Sequence, residues 1–329
     1  MRETLLETPS TPAISMWQRT AGISRVVVTV CLLSWLLLQV DLSKTLGLLQ
    51  RVHPGYVLLV FVLFVSLGGM GALRWQLLLR SFHIRVAFKE ICTITFISSF
   101  LGSFLPSGMG GDAVKVYYVA KLIGRPGELV LSVLIERCIG ILALLGIPLL
   151  VVLFYTPANQ LHEAARALYA TASALCVCGV ALAFLLKRNP SARIRKKAVE
   201  RFTAVFPGVS DLRTGWSLGK SPFFQVLAIS AMSHLFYIAI YYALGTALGE
   251  KGRLLDFLYF IPLISLAALL PFSIGGLGIR EWTFLYIFTR LGMPRQTALS
   301  ISLLSLLIGT SASLIGAALY LARGKTGNG

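Results

Sequence analysis

Six stretches of this 329-residue chain are long and apolar enough to cross a bilayer, roughly 22–40, 56–73, 129–155, 168–186, 222–248 and 297–322. About 20 mostly apolar residues suffice to span the hydrocarbon core as a helix. Helices that are apolar all round have to be buried or sit in lipid, and a chain of this size cannot bury six of them. The composition agrees. Only 13% of the residues are charged, about half the share of a soluble domain, which carries roughly 25%. Disorder, a disulfide scaffold, a coiled coil and most soluble-enzyme folds are thereby excluded. The reading is an all-α polytopic membrane protein. Residues 1–20, with Pro9 and Pro12, form a mobile tail, 21–322 a single integral-membrane domain, and 323–329 a short tail.

Two further apolar runs are interrupted. Residues 91–111 end in Leu105-Pro106-Ser107-Gly108-Met109-Gly110-Gly111-Asp112, and 256–278 end in Leu270-Pro271-Phe272-Ser273-Ile274-Gly275-Gly276-Leu277-Gly278. Proline removes a backbone donor and glycine weakens a helix, so each run breaks there. The stretches that follow, 113–124 and 279–291, are too short to span alone. Two re-entrant helical hairpins are the simplest arrangement, and two broken helices that cross fully are the alternative.

The two broken segments resemble each other. Setting Pro106 on Pro271 places Gly110-Gly111 on Gly275-Gly276 and Lys115 on Arg280. A three-residue insertion in the second copy then aligns Gly124 with Gly292, Pro126 with Pro294 and Leu131-Ser132 with Leu299-Ser300. Each half, 21–155 and 168–322, reads as span, span, hairpin, span. Three spans is an odd number, so the second half is inserted upside down, an inverted repeat of the kind transporters use. With both termini cytoplasmic, the inside segments 1–25, 74–128, 187–220 and the tail from 323 hold 21 of the 30 Lys and Arg. That bias has the direction of the positive-inside rule. The net charge of +17 therefore reports orientation and anionic headgroups, with the basic loop 187–220 as its densest part, and no nucleic acid is called for.

The breaks are also where chemistry is expected. Backbone unpaired at membrane depth is tolerated only against protein or a wet cavity. A half-helix N-terminus there offers free amides and a positive dipole end to an anion. Asp112, Lys115, Glu136, Arg137, Arg280 and Glu281 lie within or beside apolar segments. Each charge at the bilayer centre costs about 2.5–3.5 kcal/mol on insertion scales, so they must pair, snorkel or line water. Glu136 can pair with Lys115, and Arg137 with Asp112. The sharper expectation is that Lys115, Arg137 and Arg280 hold an anionic group such as a phosphate, balanced by Glu136, Glu281 or Asp112. Pro106, Gly110, Gly111, Pro271, Gly275, Gly276 and Gly278 form the hinges. A plain helix-bundle salt bridge is the alternative.

The remaining motifs carry little. His234 is the one mid-span histidine, read as packed or hydrogen-bonded. The five cysteines, Cys31, Cys92, Cys138, Cys176 and Cys178, lie in apolar stretches as packing residues. Neither a metal-ligand spacing nor a Walker A sequence occurs, so no metal or cofactor is expected. Gly215-Trp216-Ser217-Leu218-Gly219 matches the nucleophile pattern G-x-S-x-G by chance, since no strand precedes it. Trp17, Trp35, Trp75, Trp216, Trp282, Tyr117-Tyr118 and Tyr241-Tyr242 are read as interfacial anchors or lipid-facing packing.

Ser99-Phe100-Leu101-Gly102-Ser103-Phe104-Leu105-Pro106 through Gly111-Asp112-Ala113-Val114-Lys115 resembles the first signature of the lysyl-phosphatidylglycerol synthase transmembrane (flippase-like) family. Leu134-Ile135-Glu136-Arg137 is similar to that family's Glu-Arg helix. Leu270-Pro271 through Gly275-Gly276-Leu277-Gly278-Ile279-Arg280-Glu281 is similar to its second signature. The resemblance covers roughly 20–322. It implies an inner (plasma) membrane protein that translocates lipid, with an anionic phospholipid or a polyprenyl phosphate-linked lipid as partner. A separate lipid-modifying enzyme is a further partner of that class. Bifunctional members carry a soluble aminoacyltransferase domain, so the resemblance here extends to the translocating part alone and no enzyme activity is expected. A secondary transporter of a small anionic solute and an accessory subunit of a lipid-modifying enzyme are the competing functions.

Overall fold

The computed structural model describes residues 52–105, 110–154, 163–174, 219–250, 252–269 and 276–326, with four isolated positions before them. Most of the expected spans 22–40 and 168–186, the loop 187–220, and the hinge residues Pro106, Pro271 and Gly275 lie outside the described residues. Every described element is helical: α1 Pro54–Ser81, α2 Phe88–Gly102, α3 Gly110–Ile123, α4 Pro126–Phe154, α5 Lys220–Ala247, α6 Leu254–Ala268, α7 Ile279–Arg290 and α8 Arg295–Thr326. A further helical stretch covers 163–174. Four helices, α1, α4, α5 and α8, have the length and apolarity of membrane spans. Their outward faces are apolar too, as at Leu58, Leu150, Leu153 and Leu307. A helix in water would not keep such a face, so lipid is its natural neighbour.

Local chemistry explains where the helices start and turn. α1 opens with Pro54 at its first position, and the His53 imidazole accepts from the Gly55 amide at 3.1 Å. α4 also opens on a proline, Pro126. Pro262 and Pro148 sit inside α6 and α4, tolerated there because neighbouring helices enclose the backbone.

α2 and α3 fold back on one another. The Arg323 guanidinium at the end of α8 pairs with Glu90 in the first turn of α2 at 2.5 Å, and lies over the Tyr118 ring in the second half of α3. The start of one helix and the latter half of the other therefore reach the same place. α6 and α7 do the same, since Phe257 near the start of α6 packs at a tilt on Phe288 near the end of α7 with centroids 4.7 Å apart. Each hairpin has its own apolar core. Ile91, Ile94 and Val119 of the first cluster with Trp75, Leu79, Leu129 and Val133. Phe257, Phe260, Phe284 and Phe288 of the second cluster with Tyr241, Leu244 and Ile301.

The packing repeats itself. Exchanging α1 with α5, α2 with α6, α3 with α7 and α4 with α8 returns the same set of packed pairs. α1 on α5 maps onto itself. The pairs α2–α8, α1–α8, α1–α2, α2–α3, α3–α4 and α1–α4 map onto α6–α4, α5–α4, α5–α6, α6–α7, α7–α8 and α5–α8. Element lengths repeat too, 28 residues for α1 and α5 and 15 for α2 and α6. So do the caps. Ile84 N–H donates to Leu79 C=O and Glu250 N–H to Gly245 C=O, both at 2.9 Å. The residue before each donor is left-handed, His83 at φ 57° and Gly249 at φ 78°. This is the six-to-one closure of a Schellman cap. The likeness first visible in the Pro-Gly breaks thus extends to helices with no shared motif.

Small residues set the closest crossings. A Cβ on Gly316 of α8 would stand 2.0 Å from the Phe96 carbonyl oxygen of α2, whereas one on Gly69 of α1 would meet nothing within 4 Å. Close backbone approach is how membrane helices gain packing energy. Gly316→Ala forces α8 off α2 and should cost about 1–3 kcal/mol by overpacking. Thermal unfolding in detergent should show a lower Tm for Gly316→Ala than for wild type, with Gly69→Ala unchanged or slightly raised.

Candidate functional site

A cavity of about 260 Å³ lies between the first half of α3 in one hairpin and the end of α6 in the other. Its walls come from five helices. α3 contributes Asp112 and Lys115, α4 contributes Glu136, Arg137, Gly140, Ile141 and Leu144, and α1 contributes Arg74. His234 of α5 and Ser265 at the end of α6, with Leu269 beyond it, close the other side. His234 is at the middle of a 28-residue helix, so the cavity is at mid-depth.

The charges are arranged as two satisfied pairs and one surplus cation. Arg137 grips Asp112, with Nη2 at 2.6 Å and Nε at 2.8 Å from Oδ2. Arg74 donates to Glu136 Oε1 at 3.0 Å and to Ser230 Oγ at 3.4 Å. Lys115 Nζ stands 3.8 Å from Asp112 Oδ1 and 3.8 Å from Glu136 Oε2, between two carboxylates that each already have an arginine. It also lies over the Trp75 ring, 5.6 Å from the centroid. Glu136 is almost fully buried, while the Arg137 side chain is 36% exposed and marks the way in. With His234 neutral, three cations and two carboxylates leave the cavity one positive charge in excess.

The surrounding residues hold this arrangement. Trp75 is fully buried and donates from Nε1 to Ser132 Oγ at 3.0 Å. His234 Nε2 is 3.0 Å from the Gly140 carbonyl oxygen, so that nitrogen carries the proton and Nδ1 does not in the neutral ring. Gly111 packs against the Ser98 carbonyl, where a Cβ would come within 2.9 Å, and a Cβ on Gly110 would collide with Leu105. These contacts seat the first turn of α3, with Asp112 in it, against α2.

Of the six expected charged residues, Asp112, Lys115, Glu136 and Arg137 come together. Arg280 and Glu281 do not line this cavity. Arg280 binds its neighbour, with Nη2 2.6 Å and Nε 2.9 Å from Glu281 Oε1, and the Tyr237 and Tyr241 phenols lie near it. The other carboxylate oxygen of Glu281 accepts the Gly278 amide at 2.6 Å. The α7 N-terminus therefore already holds a carboxylate from its own first turn, with Gly276 and Gly278 left-handed just before it. Gly276 packs on Ala268, joining the end of α6 to the start of α7.

Arg74 escaped the sequence reading because it sits one residue beyond the apolar run of α1 and passed for a flanking charge. Its depth, two turns before the helix ends at Ser81, was the available signal. Trp75 and Tyr241, expected as lipid-facing or interfacial, are instead fully buried. Each has a polar atom that an internal hydroxyl can satisfy, Ser132 for Trp75 and Tyr237 for Tyr241. Tyr117 and Trp282 are exposed.

A family model described as the lysylphosphatidylglycerol synthase transmembrane region matches residues 22–316. The UPF0104 membrane protein PH1989 of Pyrococcus horikoshii is 23% identical over 309 residues, 86% of this chain and 91% of its own. The UPF0104 membrane protein MJ1595 of Methanocaldococcus jannaschii is 28% identical over 118 residues, 35% of each chain. The chain thus spans about a third of the second relative and nearly all of the first.

The two ion-pair clusters differ in what they can lose. Glu281 is 1% exposed and leans on Arg280, so Arg280→Leu strands a buried carboxylate, at a cost of about 3–5 kcal/mol. The double variant Arg280→Leu/Glu281→Leu removes both charges and should recover much of the lost Tm. Equal Tm values for the single variant and wild type would show that the pair is not structural.

Proposed function

The chain belongs to the lysylphosphatidylglycerol synthase transmembrane-region family, and we propose that it carries the anionic headgroup of a membrane lipid through the cavity between its two hairpins. Lys115 carries this reading. Both carboxylates of the cavity already hold an arginine, so a phosphate entering beside Lys115 gains a cation without stranding an acid. A site with one excess positive charge, held away from bulk water, favours a monoanionic phosphodiester. At about 260 Å³ the cavity admits a headgroup and excludes acyl or prenyl chains, which stay in the lipid. An anionic phospholipid and a polyprenyl phosphate-linked lipid share this chemistry. A carrier of this kind makes and breaks no bonds, and a separate lipid-modifying enzyme would supply or consume its cargo.

The membrane arrangement is part of the proposal. Both hairpins re-enter, each returning to its own side, and the halves are inverted about the α1–α5 contact. The lysine and arginine bias puts both termini in the cytoplasm of a cell whose plasma membrane holds the protein. The meeting of Arg323, Glu90 and Tyr118 fits this, since all three then lie at the cytoplasmic side. The small cavity also suits a second reading, uptake of a free anionic solute.

Fluorescent phosphatidylglycerol and polyprenyl phosphate in proteoliposomes separate these readings. Wild-type protein should accelerate movement of at least one labelled lipid between leaflets. Lys115→Gln should slow it by about tenfold or more, the loss of one charge-assisted contact to phosphate, with Tm near wild type because Asp112 and Glu136 keep their arginines. No protein-dependent movement of any anionic or polyprenyl lipid, together with uptake of labelled glycerol phosphate, would replace the lipid reading with the solute one.

A further inference from the structure

α7 buries one face and exposes one stripe. Glu281, Phe284, Leu285, Ile287 and Phe288 are buried, whereas Trp282, Tyr286 and Arg290 are exposed. The spacing of four puts these three in line along the helix, over about 12 Å from the hairpin turn toward the connection to α8. They touch in sequence. The Trp282 and Tyr286 rings stack with centroids 5.2 Å apart and planes 13° from parallel, and the Arg290 guanidinium lies over Tyr286, 4.5 Å from its centroid.

The position of Arg290 is the informative part. Its guanidinium carbon stands over the ring, and the N–H groups of a guanidinium match two phosphate oxygens at once. Among the described residues no carboxylate forms an ion pair with Arg290. The first hairpin makes the contrast. Its arginine nearest the same helix end, Arg125, follows Gly124, whereas Arg290 precedes Gly292, so the two are not aligned counterparts. Arg125 is taken up by Glu128, at 2.6 Å and 2.7 Å. An exposed aromatic follows Lys115 and Arg280 by two residues, Tyr117 and Trp282, but among the described residues only α7 continues it into a stacked ladder ending on an arginine without a carboxylate partner.

We propose that Trp282, Tyr286 and Arg290 form a docking site for an anionic membrane phospholipid, separate from the central cavity. Arg290 takes the phosphodiester by its N–H groups, and the acyl chain lies along the exposed rims of Tyr286 and Trp282 toward mid-depth. The occupant is a lipid and not a soluble phosphate, because two partly exposed aromatic side chains continue from the cation into apolar surroundings. The site does not depend on the translocation reading. An aromatic belt residue anchors a helix with no headgroup preference, whereas this ladder selects a negative one.

The full chain is reconstituted in phosphatidylcholine nanodiscs as a Trp17→Phe/Trp35→Phe/Trp216→Phe background, which keeps buried Trp75 and exposed Trp282. Quenching of Trp282 emission is then compared between brominated phosphatidylglycerol and brominated phosphatidylcholine. Phosphatidylglycerol should quench at an about tenfold lower mole fraction, the worth of one charge-assisted pair. Arg290→Ala should remove the difference, and Arg290→Lys, which cannot stack and fork, should keep only part of it. Trp282→Phe in the same background identifies the emitting ring. Equal quenching by the two lipids would overturn the site. So would a difference that survives Arg290→Ala with helix content and Tm unchanged. Should Arg290→Ala fail to fold, Arg290→Gln provides the same comparison. Abolition of the difference by millimolar glycerol 3-phosphate would overturn the lipid assignment.

Discussion

Two carboxylates, Glu136 and Glu281, are almost entirely withdrawn from solvent among apolar helices. Burial withdraws them from bulk water, so each needs a cation delivered by the fold. Glu136 draws Arg74 from α1 and Lys115 from α3 onto α4, and Asp112 draws Arg137 back toward α3. Three helices, α1, α3 and α4, are tied at mid-depth by these charges. The α2–α3 hairpin is positioned by them, and the cavity is the space left around them. Glu281 does a more local task, holding Arg280 with one oxygen and the α7 N-terminus with the other.

The duplicated plan makes the difference between the halves meaningful. Packing, helix lengths and caps repeat, but the charges do not. The first half directs Asp112 and Lys115 into the cavity beside Glu136 and Arg137 of α4. At α8, the position matching Arg137 is the uncharged Ser305, near the Tyr241 phenol. Arg280, the counterpart of Lys115, is neutralised by its own neighbour. One hairpin therefore presents a cation to the cavity, and the other presents Ser265 and the apolar Leu269. The paired hairpins provide the frame, and the departure from symmetry decides which side of it is polar.

Much of this was legible along the chain because membrane insertion punishes the wrong residue locally. A proline, two glycines or a charge in an apolar run has few innocuous explanations, so the hairpin turns and the four cavity residues on α3 and α4 could be named without coordinates. The pairings Arg137–Asp112 and Lys115–Glu136 followed from the requirement that such charges find partners. Arg74 was missed since a charge at the edge of a span looks like a flank, and only its distance from Glu136 shows that it faces inward. Trp75 and Tyr241 were misplaced because an amphipathic ring suits an interface and an internal hydroxyl equally well. The choice depends on Ser132 and Tyr237, which arrive from distant or unmarked positions.

The sequence by itself determined that the chain lies in a membrane, that two apolar runs break in matching ways, and that the breaks carry charges. Those properties follow from composition and spacing, which act residue by residue. Only the tertiary structure decided which charges meet. It brought Arg74 across to Glu136, left Lys115 in surplus, and kept Arg280 with Glu281 outside the cavity. It also turned Trp282, Tyr286 and Arg290 outward in one stacked line. The reason is that a partner for a buried charge comes from whichever helix crosses at that depth, and crossings are set by packing between segments far apart in the chain.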